Sequence, residues 1–221
     1  MRLTVIGATG GIGRSLVTQA VEAGHDVTAV VRDPAGLEAD VRFVPVDMSE
    51  PDPAALSSAV AGADAVLSAL GPRRRAERGI VSRGTAALVA AMSATGTRRV
   101  LIVTGVGIST VRTPNRPRPP RREPGAGFVM RHFATPLSRM VIGSHMADVA
   151  AAEEILACSG LEWTAVRPPY LTDGPLIGDY QVAFGRSLGR AFRLSRADAA
   201  HCMLRVIGDP RAVGRTVTVA Y

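Results

Sequence analysis

Apolar residues fall along this chain in two rhythms. Short runs that are apolar throughout and rich in β-branched residues alternate with longer stretches in which apolar positions recur every three or four residues. The first pattern belongs to strands buried on both faces, the second to helices that lay one face on a core. Residues 3–6 form the first run. Ile12, Leu16, Val17, Ala20 and Val21 then share one helical face, and Gly24 supplies the stop. The same reading predicts strands at 26–31, 41–46, 63–70, 100–104 and 162–167, with shorter ones at 180–184 and 216–220. Helices are predicted at 54–61, 78–95, 144–159 and 195–207. In the second of these, Val81, Thr85, Leu88 and Met92 form one stripe and Gly96 the cap. Trp163, on the strand at 162–167, is expected in the core.

Strands that alternate with amphipathic helices imply a parallel sheet covered on both faces. Right-handed crossovers then give a doubly wound, mostly parallel α/β fold of Rossmann-like type, with ligands outside the carboxyl ends of the strands. Residues 1–221 read as one domain whose small C-terminal portion, from about 176, serves the substrate. The segment 106–143 breaks the rhythm, with no clear strand or helix. Residues 112–122 are rich in proline and arginine, and a partly apolar piece, 128–141, follows. A loop this long is functional or disordered; it reads either as a mobile lid or substrate wall over the sheet's carboxyl edge, or as a solvated insertion.

Composition narrows the chemistry. At 47% hydrophobic and 20% charged residues the chain is an ordinary globule. No apolar run is long enough to span a bilayer, and the first strand leaves no room for a signal peptide, so a cytoplasmic location without membrane contact is expected. Cys158 and Cys202 sit in no metal-ligand or C-x-x-C pattern; both are expected reduced and buried, and no metal site is expected. The net charge is +7 and all 26 basic residues are arginine. This is read as a swap of lysine for arginine on solvated faces or as a basic surface for an anion. Either way, any mechanism that needs a catalytic lysine is excluded.

The first strand ends in Gly7, Gly10 and Gly13, and a helix follows at once. Strand, glycine turn and helix together point free backbone N–H groups and a positive helix end at a phosphate. Gly7, Thr9, Gly10, Gly11, Ile12 and Gly13 are therefore the candidate diphosphate cradle of a dinucleotide. An acidic residue at the end of the second strand would select NAD through the ribose. Here Arg32 stands there, with Asp33 next and Arg14 able to assist. A guanidinium grips a 2′-phosphate through paired bonds. At about 1.5–3 kcal/mol this favours NADP(H) about 10- to 150-fold; the alternative is a solvated Arg32 with Asp33 on the ribose. By the carboxyl-end rule, Asp47 and Met48 meet the adenine, unless Asp47 serves only its turn, and Ala69, Leu70 and Gly71 lie beside the ribose and diphosphate. Thr104 and Gly105 fall near the nicotinamide ribose, and Pro168 and Pro169 near the carboxamide. Tyr170 is the candidate proton donor, with His132, His145 and Ser109 behind it.

The pieces G-A-T-G-G-I-G, V-V-R-D-P, S-G-L-E-W-T-A-V-R-P-P-Y-L-T-D-G-P-L-I-G-D-Y and S-R-A-D-A-A-H-C-M-L resemble the atypical short-chain dehydrogenase/reductases. The likeness is to the NAD(P)H-binding branch that includes biliverdin-IXβ reductase (flavin reductase) and NmrA-like proteins, and it spans nearly the whole chain outside 106–143. The Tyr-x-x-x-Lys pair of most short-chain reductases is absent. Where the flavin reductase branch carries a serine after the fifth strand and a histidine after the sixth, this chain has Gly105 and Tyr170. The resemblance implies an NADPH-dependent reductase that passes hydride directly to a planar conjugated acceptor such as a flavin, quinone or polycyclic aromatic, with proximity supplying most of the catalysis. The other reading is a non-catalytic, NmrA-like NADP(H) sensor. Nucleic acid is not an expected partner, because the arginine-rich loop lacks interleaved aromatics. The oligomeric state stays open between monomer and dimer.

Overall fold

The computed structural model describes residues 1–37, 39–72, 77–114, 116–121, 125, 135–189 and 192–221, with backbone alone for 135–143. In chain order the regular elements are β1 (Arg2–Ile6), α1 (Gly11–Glu22), β2 (Asp26–Val31), β3 (Arg42–Pro45), α2 (Pro53–Val60), β4 (Ala65–Ser68), α3 (Ile80–Thr95) and β5 (Arg99–Val103). Then come α4 (Thr135–Ala157), β6 (Glu162–Arg167), β7 (Tyr170–Thr172), β8 (Gln181–Phe184), β9 (Arg193–Ser195), α5 (Arg196–Val206) and β10 (Arg215–Ala220).

Eight strands form one sheet in the order β3-β2-β1-β4-β5-β6-β10-β8, parallel throughout except for the edge pair β10–β8. The period of two along each strand explains the continuous apolar runs. Leu3 and Val5 of β1 join Val27, Ala29, Leu67 and Val217 in a core closed by α1 and α5. Ile6, one residue on, faces the opposite core with Val30, Val66, Val100 and Ile102 under α2, α3 and α4. Buried polar groups bind the layers together. Thr4 donates to Ala59 O at 2.7 Å and Thr97 to Val60 O at 2.8 Å. Arg99 is buried and ties the end of α5 to the sheet, donating to Ile207 O at 2.8 Å and Val206 O at 3.0 Å. Burial holds its pKa below the ordinary arginine value.

Three expectations change. First, α4 begins at Thr135, nine residues before the predicted start at 144. Pro136 suits the first turn of a helix, and the interior Gly143 costs only about 1 kcal/mol, too little to end it. Second, β7 and β9 pair in parallel as a separate two-stranded sheet. Three residues each are too few for an alternating pattern to show. Third, Cys158 is exposed just past α4, whereas Cys202 is buried in the α1–α5 core, which pushes its thiol up to about 12. Trp163 is half-buried against the core under α2–α4. Within 106–121, Ile108–Thr110 forms a 3₁₀ turn, and Thr113 bridges to Arg116 and donates to Glu154 of α4 at 2.6 Å. Among the described residues, no helix is long and apolar enough to cross a membrane.

Candidate functional site

The sheet order reverses between β1 and β4, so the crossovers leaving these strands diverge and open a crevice at their carboxyl ends. A cleft of about 780 Å³ lies there, lined from β1, β2, β4 and β5 and the starts of α1, α3 and α5. Its size falls in the range of small-molecule and cofactor sites.

The floor is the turn between β1 and α1. Gly7 takes φ +74°, and the backbone just past β4 is close: a Cβ there would stand 3.0 Å from Ala69 O. Gly10 caps α1 with its backbone alone, and the first turn carries no acidic residue. Gly10 N donates to Gly7 O at 2.9 Å and Arg14 N to Gly10 O at 2.8 Å. The N–H groups of Gly11, Ile12 and Gly13 thus have no intrahelical acceptor. A neutral side-chain-free cap, open amides and a positive helix end make an anion cradle. Gly13 serves a different end from Gly10. A Cβ on it would fall 2.1 Å from Gly7 O, so its lack of a side chain lets the helix sit against the strand.

At the end of β2, Arg32 lines the cleft half exposed. Its Nη1 lies 3.2 Å from Glu77 Oε1 and 3.9 Å from Asp47 Oδ2. Asp33 Oδ1 accepts from Ala35 N at 3.0 Å and caps the short turn that follows. Asp47 accepts from Ser49 N at 2.9 Å and Ser49 Oγ at 2.7 Å. These bonds, with Arg32 adding, hold its carboxyl below the usual carboxylate range. Met48, Ala69, Leu70 and Gly71 complete this side of the wall.

At the other end the cleft meets a buried polar chain. Thr104 Oγ1 donates to Glu153 Oε1 at 2.6 Å. Glu153 of α4 is ion-paired with Arg167 at the end of β6, through Nε at 2.8 Å and a second, closer contact from Nη2. Arg167 Nη1 reaches Ser109 Oγ at 2.7 Å. His145 of α4 lines the cleft near Val149, and its Nδ1 is buried with no hydrogen-bond partner among the described residues.

Of the residues predicted for the cofactor, Gly7, Thr9, Gly10, Gly11, Ile12, Arg32, Asp47, Met48, Ala69, Leu70, Gly71 and Thr104 converge on this one cleft. Gly13, Gly105, Pro168 and Pro169 are not among its lining. Among the candidate acids that lie within the described residues, only His145 lines it. Ser109 is engaged by Arg167 behind Thr104, and Tyr170, at 75% exposure, stands in solvent outside the lining. His132 lies outside the described residues. Glu77, Leu171 and Arg196 line the cleft without having been foreseen. Glu77 sits outside any periodic element, Leu171 on a three-residue strand, and Arg196 nearly two hundred residues from the glycine turn it faces. The two basic side chains in the wall and the uncapped helix suit a dinucleotide's phosphates, and the apolar Ile80, Val103, Val149 and Leu171 suit its rings.

Comparison with known proteins agrees with this geometry. An uncharacterized protein of Mycobacterium tuberculosis is 35% identical over 102 residues, 46% of this chain; the chain spans only 12% of that longer protein. A proposed NADH-flavin reductase of Streptococcus pneumoniae superposes with a TM-score of 0.73 at 24% identity, covering 100% of this chain and 99% of its own. The anaerobilin reductase ChuY of Escherichia coli O157:H7 gives 0.76 at 19% identity, covering 100% and 97%. A short-chain dehydrogenase/reductase of Veillonella parvula, solved with NADP, gives 0.77 at 18%, covering 100% and 94%. At these identities the structures speak for the fold. The profile of a family described as NAD(P)H-binding matches residues 7–210, from the glycine turn to the approach of the last strand. The chain belongs to this NAD(P)H-binding family.

Proposed function

We propose that the protein is an NADPH-dependent reductase that hands hydride directly to a planar conjugated acceptor, a flavin, quinone or polycyclic aromatic, without a Tyr-Lys pair. The observation that carries this reading is His145: an imidazole whose buried Nδ1 has no partner among the described residues, on the wall of the same cleft whose floor is an open helix end. When bound, the reduced coenzyme supplies the hydride; the chain supplies position and the proton. The amides of Gly11 and Ile12, at the start of α1 on the cleft floor, hold the diphosphate. Thr104, fixed by Glu153, holds the wall by the nicotinamide end, and His145 gives or takes the proton within the cleft. The flavin and anaerobilin reductases among the structural neighbours act, by their names, on flat conjugated molecules, which supports that acceptor class.

NADP(H) is the preferred coenzyme in this reading. Arg32 faces the cleft at the place where NAD-specific folds carry an acid, while Asp33 is occupied as a turn cap. Glu77 and Asp47 hold the guanidinium in place and also compete for it.

The test is oxidation of NADPH by the purified protein with FMN, FAD or quinones offered as acceptors. The expected result is acceptor-dependent turnover that falls about 100-fold or more in His145→Gln while coenzyme binding is kept. Tight binding without turnover on any acceptor points instead to a sensor. Undiminished turnover in the variant removes His145 from proton transfer.

A further inference from the structure

Arg196 is the first residue of α5, in a part of the chain that the glycine turn does not predict. Ser195 caps this helix, its Oγ accepting from Asp198 N at 2.9 Å, and Gln19 of α1 donates to Ala197 O at 3.0 Å. These contacts pin the start of α5 onto α1. The stem of Arg196 consequently lies across the first residue of α1: a Cβ on Gly11 would stand 2.5 Å from Arg196 Cδ and 3.0 Å from Nε. A side chain at position 11 would press on this stem from the far end of the chain, and Arg196 itself lines the cleft. Its guanidinium pairs with Asp173, whose carboxylate is 89% exposed. A carboxylate so open to water gives up little when it is replaced, because exposed ion pairs are weak.

We propose that Arg196 is the second jaw of the diphosphate site. It closes over the anion held by the α1 amides and exchanges the Asp173 carboxylate for a phosphate oxygen when the coenzyme enters. A charge-assisted, planar donor is suited to this exchange, since phosphate accepts its paired N–H groups as a carboxylate does. The exchange also links coenzyme uptake to the substrate side, because Asp173 follows β7 directly, in the stretch that carries the exposed Leu176 and Ile177. The proposal rests on the coenzyme reading above.

Two probes separate the contact from the fold: ADP-ribose, which carries the diphosphate, and adenosine, which carries none and is followed by ligand-observed NMR. In Arg196→Gln, ADP-ribose binding is expected to weaken about 10- to 150-fold, with adenosine unchanged. Arg196→Lys, which keeps the charge without the fork, recovers part of the loss. Asp173→Asn frees the guanidinium and tightens ADP-ribose up to about 5-fold; it carries the test if Arg196→Gln does not fold. ADP-ribose affinity untouched in the Arg196 and Asp173 variants, or adenosine lost to the same extent, overturns the assignment. Wild-type protein that takes up adenosine but no ADP-ribose overturns the diphosphate reading itself, and the jaw with it.

Discussion

Removing the charge of Glu153 while keeping its shape tests the polar chain under the cleft most directly. Glu153 and Arg167 are 7% and 6% exposed, so the pair stands almost wholly out of water. In Glu153→Gln the guanidinium keeps its burial and loses its carboxylate, and one amide N–H₂ turns toward a cation that has no use for a donor. Breaking a buried pair from one side costs about 3–5 kcal/mol, because the guanidinium stays buried while its opposite charge is gone. With a urea slope of about 2–3 kcal/mol/M for a chain of this size, the midpoint should fall by about 1–2.5 M. Trp163 is the sole tryptophan and sits on β6, four residues before Arg167, so its fluorescence reports the transition in the right place. The double variant Glu153→Leu/Arg167→Met removes both charges at similar volume and should regain about 2 kcal/mol or more over Glu153→Gln. The reasoning fails if Glu153→Gln shifts the midpoint by less than about 0.3 M, or if the double variant is as unstable as the single one. Thr104 adds a functional reading. It loses its carboxylate acceptor in both variants, so acceptor turnover should fall in both even where stability returns.

Other perturbations address the rest of the cleft. Gly13→Ala places a methyl 2.1 Å from Gly7 O and should cost at least about 1–3 kcal/mol while weakening NADPH and NADH alike; a thermal melt and two fluorescence titrations check it. Arg32→Asp should weaken NADPH about 10- to 150-fold and spare NADH, whereas equal losses would take Arg32 off the 2′-phosphate. Glu77→Gln releases Arg32 from its nearest carboxylate, 3.2 Å away, and should tighten NADPH without changing NADH in the same titration. Asp198 is fully buried. Burial alone would raise its pKa, but bonds from Tyr221 OH, Gly178 N, Ser195 Oγ and Ile177 N outweigh this and hold it below the ordinary value. Its unfolded form binds protons more readily, so its contribution is complete above about pH 4 and disappears as pH falls through the lowered value. Acid unfolding of Asp198→Asn should therefore show a shallower loss in that range than the wild type; parallel curves would contradict the assignment.

The alternation of apolar runs with amphipathic stretches was enough to determine the architecture, because a strand buried on both faces and a helix buried on one leave different periods in the sequence. Gly7, Gly10 and Gly13 are legible for a related reason: each answers a local demand, for a left-handed turn, an open cap or a close helix–strand approach. Arg32 is legible because its place follows from the end of a recognisable strand. What the chain pattern could not decide is which distant side chains meet. Arg196 lies over Gly11 only because α5 folds back onto α1, and Glu77 reaches Arg32 only because the approach to α3 passes the end of β2. Tyr170 shows the opposite outcome: strand six ends beside the cleft, yet the three-residue pairing of β7 with β9 sends its ring to solvent and Leu171 to the cavity. Local periodicity is set by a residue's neighbours in the chain, whereas the charges and rings of a binding wall are brought together by packing across the whole sheet, which no local signal encodes.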